Sequence, residues 1–171
     1  MFRLLLFAPL LIGIASCSSS RREAQAQATL SVVQEPESKA VSDTAIFYSR
    51  GACFGMCPIF DLVVMKDGKA SYLGKNHVDR IGRYEASVSF SDIQAIQAKA
   101  REIGYFELLP VYDNESVHDL PNIITGISDG KHVHRVRNRY KGPGALRYLY
   151  TELDSLIERQ AWKAAGALQQ D

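Results

Sequence analysis

The sequence predicts an α+β fold: an antiparallel sheet of about six strands, ordered as four strands, a helix, a hairpin and a helix, with both helices packed on one face. Three observations carry this. Short segments alternate apolar and polar residues with period two, and two of the connections between them are Asp-Gly, the dipeptide that suits a tight hairpin. Two longer segments place apolar residues at helical spacing. Nothing helical separates the first four strands, so a thioredoxin-like or doubly wound arrangement, which needs crossover helices, is excluded.

Ala45 to Ser49 reads as the first strand. Ile59 to Lys66 is the second, with Phe60, Leu62 and Val64 on one face, and Asp67-Gly68 turns it into a third from Lys69 to about Gly74. Tyr84, Ala86, Val88 and Phe90 alternate with Glu85, Ser87 and Ser89, as in a half-buried fourth strand. Ser91 and Gln94 form a capping box, after which Ile93, Ile96, Ala100 and Ile103 share a helical face until Gly104 stops the helix. A connection through Pro110 and Pro121 leads to a hairpin of Asn122 to Ser128 and Lys131 to Asn138 across Asp129-Gly130. Pro143 suits the first turn of a last helix, whose stripe of Leu146, Leu149, Tyr150, Leu153, Leu156 and Ile157 must be core. One domain spanning 45–158 follows, with 159–171 as a C-terminal tail.

Ahead of this domain, Arg3 and the apolar run Leu4 to Ile14 have the layout of a signal peptide, residues 1–16. As a helix rising about 1.5 Å per residue, that run covers roughly half of a ~30 Å hydrocarbon core, too little to span it. Ile14-Ala15-Ser16-Cys17 resembles the lipobox of bacterial lipoproteins. The resemblance implies lipidation of Cys17, by a diacylglyceryl thioether and an N-acyl chain such as palmitate, and three chains make a permanent anchor. Ser18, where aspartate favours inner-membrane retention, implies the outer membrane, facing the periplasm. Residues 17–44 are rich in Ser, Gln, Ala and Glu and lack aromatics beyond the signal, so they are expected to be a flexible tether. Its r.m.s. span would be about 30 Å.

Of the three cysteines, lipidation of Cys17 leaves the pair Cys53 and Cys57. The balance of 20 basic and 19 acidic residues gives no global attraction to nucleic acid, and no nucleic-acid partner is expected.

Cys53-Phe54-Gly55-Met56-Cys57-Pro58, with Asp67-Gly68, Asp119-Leu120-Pro121 and Gly142-Pro143 downstream, resembles an often exported bacterial family known only as a domain of unknown function, over about Ile46 to Ile157. The family implies no activity, cofactor or catalytic residue. Two cysteines three residues apart can be bridged if the chain turns, which Gly55 permits, and an oxidising compartment favours a disulfide between Cys53 and Cys57. A competing thiol or copper-handling reading rests on the similarity of Cys-x-x-x-Cys-Pro to copper chaperones, with His118, His132 and His134 as candidate ligands. His132 and His134, two apart in a strand, are expected to share a face. Those chaperones, however, carry a helix after the motif, where this chain has a hairpin.

Arg135, Arg137, Arg139 and Lys141, interleaved with Tyr140, form a basic stripe. It could bind phosphate groups of an anionic glycolipid, or it could be a charged edge strand that resists sheet-to-sheet aggregation. Asp113 and Glu115 read as a solvated loop. Gly-x-Ser-x-Gly, His-Glu-x-x-His and Gly-x-Gly-x-x-Gly are absent, and Gly68 to Lys75 misses phosphate-loop spacing. The expectation is a tethered envelope domain that binds or scaffolds, with no cofactor, its partners being the membrane through its lipid and an envelope protein or anionic glycolipid.

Overall fold

The computed structural model describes residues 43–166. The elements are β1 (Thr44–Arg50), β2 (Ile59–Met65), β3 (Lys69–Asn76), β4 (Gly82–Ser87), α1 (Phe90–Glu102), β5 (Val111–Tyr112), β6 (Ile123–Ser128), β7 (Val133–Asn138), α2 (Leu146–Arg159) and β8 (Lys163–Ala164), with a 3-10 turn at Tyr105–Glu107. The class is α+β, as expected. The sheet, however, has eight strands in the order β5-β7-β6-β1-β2-β3-β4-β8 and is mixed, because β5 runs parallel to β7. The additional strands are the two edges, each of two residues, too short for alternation to register. β8 lies in the segment read as a tail. It is fixed by Trp162, whose ring packs 5.5 Å from that of Tyr72 and whose Nε1 donates to the Ile157 carbonyl at 2.7 Å.

β1 is central because it pairs with both β2 and β6, joining the β1–β4 meander to the second hairpin. In its register Ile46 faces Val64 and Ile127, and Tyr48 faces Leu62 and Thr125. These residues, with Ala70, Tyr72 and Val136, form one buried face. Ile93, Ile96 and Ala100 of α1 complete the core with the whole predicted stripe of α2. Each buried leucine contributes about 1.5–3 kcal/mol, so the stripe of α2 is a principal source of stability. The opposite face carries Ser49, Asp61 and Ser71 and stays partly exposed.

Three boundaries differ from expectation for local reasons. β4 ends at Ser87, and Ser89, with extended backbone, caps α1 by accepting from the Asp92 amide at 3.1 Å. The cap is therefore two residues earlier than Ser91, and Phe90 becomes a 68 % exposed first-turn residue rather than an inward strand residue. Asp92 also accepts from Arg159 at 2.9 Å, tying the start of α1 to the end of α2. α2 starts at Leu146, so Pro143 lies in the turn before it, its carbonyl accepting from the Leu146 amide at 3.0 Å. Gly104 stops α1 as expected, in a left-handed conformation at φ 66°. In β3, a side chain at Gly74 would collide with the Arg80 carbonyl, so glycine lets the loop between β3 and β4 fold onto the strand.

Candidate functional site

The register decides where the loops go. Arg50 pairs with Phe60 and Ile123, Ile59 with Asn76, Gly74 with Gly82, and Ile123 with Asn138. Loops 51–58, 77–81, 113–122 and 139–145 therefore emerge at one end of the sheet. The other end carries the tight turns at Asp67-Gly68 and Asp129-Gly130.

Loop 51–58 occupies the middle of this end. Cys53 and Cys57 are joined by a disulfide with Cα atoms 5.9 Å apart. On one side the Gly51 amide donates to the Asn122 carbonyl at 2.9 Å and the Phe54 amide to the Asp119 carbonyl at 3.1 Å. On the other side His77 Nδ1 lies 3.3 Å from the Cys57 carbonyl oxygen. Three loops are thus linked side by side over the stretch from β7 to β4, about 24 Å at the usual strand spacing. Their tips present apolar side chains to water: Phe54 is 94 % exposed, Met56 85 %, Ile81 58 % and Leu120 40 %.

A polar cluster supports the ridge from below. Arg50, the last residue of β1, turns toward the helices and donates to Asp154 of α2 at 2.6 Å. The Tyr48 hydroxyl donates to the other Asp154 oxygen at 3.0 Å and accepts from Arg50 Nε. The Arg50 guanidinium also lies 5.4 Å from the Tyr48 ring centre and 6.0 Å from that of Phe60. Tyr48 stacks on Tyr150, whose hydroxyl accepts from Asn138, and the Asn138 side-chain oxygen accepts from the Gly142 amide at 3.1 Å. Burial raises the Tyr48 hydroxyl far above its ordinary range, so it remains a proton donor. Burial also raises the Asp154 carboxyl, opposed by the charge of Arg50. The polar members of this cluster bind one another, which makes it a strut between β1, α2 and loop 139–145.

The expected ligand histidines are dispersed. His118 is exposed in loop 113–122. His132 lies in the turn before β7, at the opposite end, its amide bound by Asp129 at 2.7 Å. The strand alternation that was to place it beside His134 begins only at Val133. His134 lies on the helix-covered face, edge-on to Tyr105 at 5.4 Å, with Nε2 3.1 Å from the Leu108 carbonyl oxygen. Among the described residues no three His, Cys, Asp or Glu side chains gather as a metal would require. Cys17 lies outside the described residues.

The basic stripe is largely engaged. Arg139 grips Asp113 through Nε at 2.6 Å and Nη2 at 3.0 Å, and Arg137 reaches the same carboxylate at 3.3 Å. Arg135 lies 4.6 Å from the Phe47 ring centre and Lys141 5.1 Å from that of Tyr140. β5 pairs with β7 at Arg137 and Asn138 alone, so β7 is covered as an edge only at its end. Asp113, read as part of a solvated loop, instead anchors the start of loop 113–122.

This clamp has a pH signature. The Arg139 hydrogen bonds hold the Asp113 carboxyl below its ordinary 3.8. A depressed folded-state value contributes stability that is present above the ordinary value and lost as pH falls through the folded one. Urea midpoints measured on descending from about pH 5 are therefore expected to fall less steeply in Asp113→Asn than in the parent. An unchanged slope would remove Asp113 as a contributor.

Residues Arg50, Asp154, Tyr48, His77 and Ile81 went unnoticed in the sequence. Arg50 and Asp154 are 104 positions apart, and no local spacing signals such a pair.

Residues 44–157 match the family described as a domain of unknown function, DUF6438, and the chain belongs to that family. The match runs from β1 to the last turn of α2. No curated protein matches the chain. Among the described residues no helix is long and apolar enough to cross a membrane.

Proposed function

We propose that this DUF6438 protein is a lipid-anchored lipoprotein of the bacterial envelope, on the outer membrane facing the periplasm, and that its domain is a binding or scaffolding module working through the loop end of its sheet. The observation that carries the reading is the presentation of Phe54 and Met56, almost wholly in water, on a covalently closed loop. Burying either in a partner would recover about 1.5–3 kcal/mol. The closed loop has already lost the freedom that binding would otherwise take from it. The anchor rests on Cys17 and the apolar run before it.

The test is in-cell crosslinking of the full chain followed by co-purification, with palmitate labelling in parallel. The expected result is a reproducible partner that is lost in the Phe54→Ser, Met56→Ser double variant, and label that is lost in Cys17→Ser. A reproducible absence of any partner from the parent chain would count against the binding module, and label retained in Cys17→Ser would count against the anchor.

A further inference from the structure

The loop end also carries a charge pattern that selects among the surfaces it could meet. Loops 51–58, 77–81, 113–122 and 139–145 contain the carboxylates Asp79, Asp113, Glu115 and Asp119 against Arg80, Arg139 and Lys141, of which Arg139 is spent on Asp113 and Lys141 lies 5.1 Å from the Tyr140 ring centre. Asp113 is turned away to Arg139 and Arg137, and the remaining three flank the apolar tips on both sides of the disulfide loop. Asp119 is fixed against the tip through its carbonyl, which accepts from the Phe54 amide. A bilayer with anionic headgroups, or a phosphorylated glycolipid, attracts loops collared by Lys and Arg and repels an acidic collar. The apolar tips are an aromatic ring and a thioether, side chains enriched at the centres of protein interfaces. A ridge of about 24 Å is also comparable in scale with a footprint of roughly 800 Å² per partner.

We infer that the ridge is a wedge for a protein of the envelope: Phe54 and Met56 enter an apolar cleft on that protein, and Asp79, Glu115 and Asp119 face lysines and arginines on the cleft's rim. This rests on the binding-module reading and names its partner's chemistry. Arg135 and Arg137 of β7, and Arg139 and Lys141 of loop 139–145 at the same end of the sheet, lie outside the three linked loops of the wedge. The acidic collar speeds encounter with a cationic rim, so association weakens as salt rises.

The test places a photoreactive benzophenone amino acid at position 54, 56 or 90 of the full chain in intact cells. Positions 54 and 56 project into solvent, so the probe leaves the fold undisturbed, which migration of the oxidised chain on non-reducing gels verifies. The expected result is one discrete protein adduct from positions 54 and 56, with none from position 90. Its yield should fall about five- to tenfold when Glu115→Lys and Asp119→Lys are combined. Four results would overturn the inference: an adduct of twice the chain's mass, showing a second copy; a small mass increment from lipid; no adduct at all; or a protein adduct indifferent to both charge reversals. If positions 54 and 56 fail while whole-chain crosslinking still captures a partner, the wedge falls and the binding module stands.

Discussion

Replacing both Cys53 and Cys57 by serine is expected to lower stability by about 2 kcal/mol, the chain-entropy value for so short a loop, and to loosen the loop through which the domain is proposed to bind. The reason for the second effect is geometric. The bridge closes the loop that carries Phe54 and Met56, and without it the loop is tied to its surroundings by its hydrogen bonds to Asn122, Asp119 and the His77 ring. β1 and β2 stay paired through Ser49 with Asp61 and Tyr48 with Leu62, so the domain remains folded. Urea midpoints under oxidising conditions and amide exchange at Phe54 and Gly55 read the two effects separately. An unchanged midpoint together with unchanged exchange would show that the bridge contributes neither stability nor order.

The Leu153→Ala variant is expected to lose about 3 kcal/mol, within the range for large-to-small changes at fully buried leucines. Leu153 is wholly inaccessible, at the middle of the α2 stripe between Leu149 and Leu156. With domains stable by only ~5–15 kcal/mol, such a loss lowers Tm by roughly 10 °C. Glu152→Ala, one position away on the exposed side of the same helix, is expected to stay within about 0.5 kcal/mol. Thermal unfolding of both variants checks the pair. If Glu152→Ala were the more damaging, the assignment of the buried face would be wrong.

Much of the fold was legible because its signals are local. The alternation of Phe60, Leu62 and Val64 and the stripe from Leu146 to Ile157 each lie within one element, so burial on a single face writes itself into the order of residues. Asp67-Gly68 and Asp129-Gly130 marked both hairpins for the same reason, and Gly68 and Gly130 take positive φ. Errors gathered where short-range signals compete. Ser89 and Ser91 are both plausible caps, and the choice of Ser89 follows from where β4 leaves its partner, with the Val88 amide bound to the Gly68 carbonyl. β5 and β8 exist because a neighbouring strand offers them unpaired backbone groups, which two residues cannot announce by themselves.

The cysteine loop divides in the same way. Its residue order was enough to identify a turn that can be bridged and, with the segments around Asp119 and Gly142, a kinship with a family. That these segments converge on one end of the sheet followed only from the strand order, which brings β6 beside β1 and so sets Asn122 and Asp119 against Gly51 and Phe54. The histidines show the converse: strand spacing suggested a shared face, and packing put His134 under Tyr105 while leaving His132 in a turn. Hydrophobic periodicity and turn chemistry act over a few residues, so the chain alone determined its class, its core and the elements that carry its loops. Which loops stand together, and which charges are already spent on one another, depends on contacts between residues up to about a hundred positions apart, such as Arg50 with Asp154, and only the folded arrangement decided them.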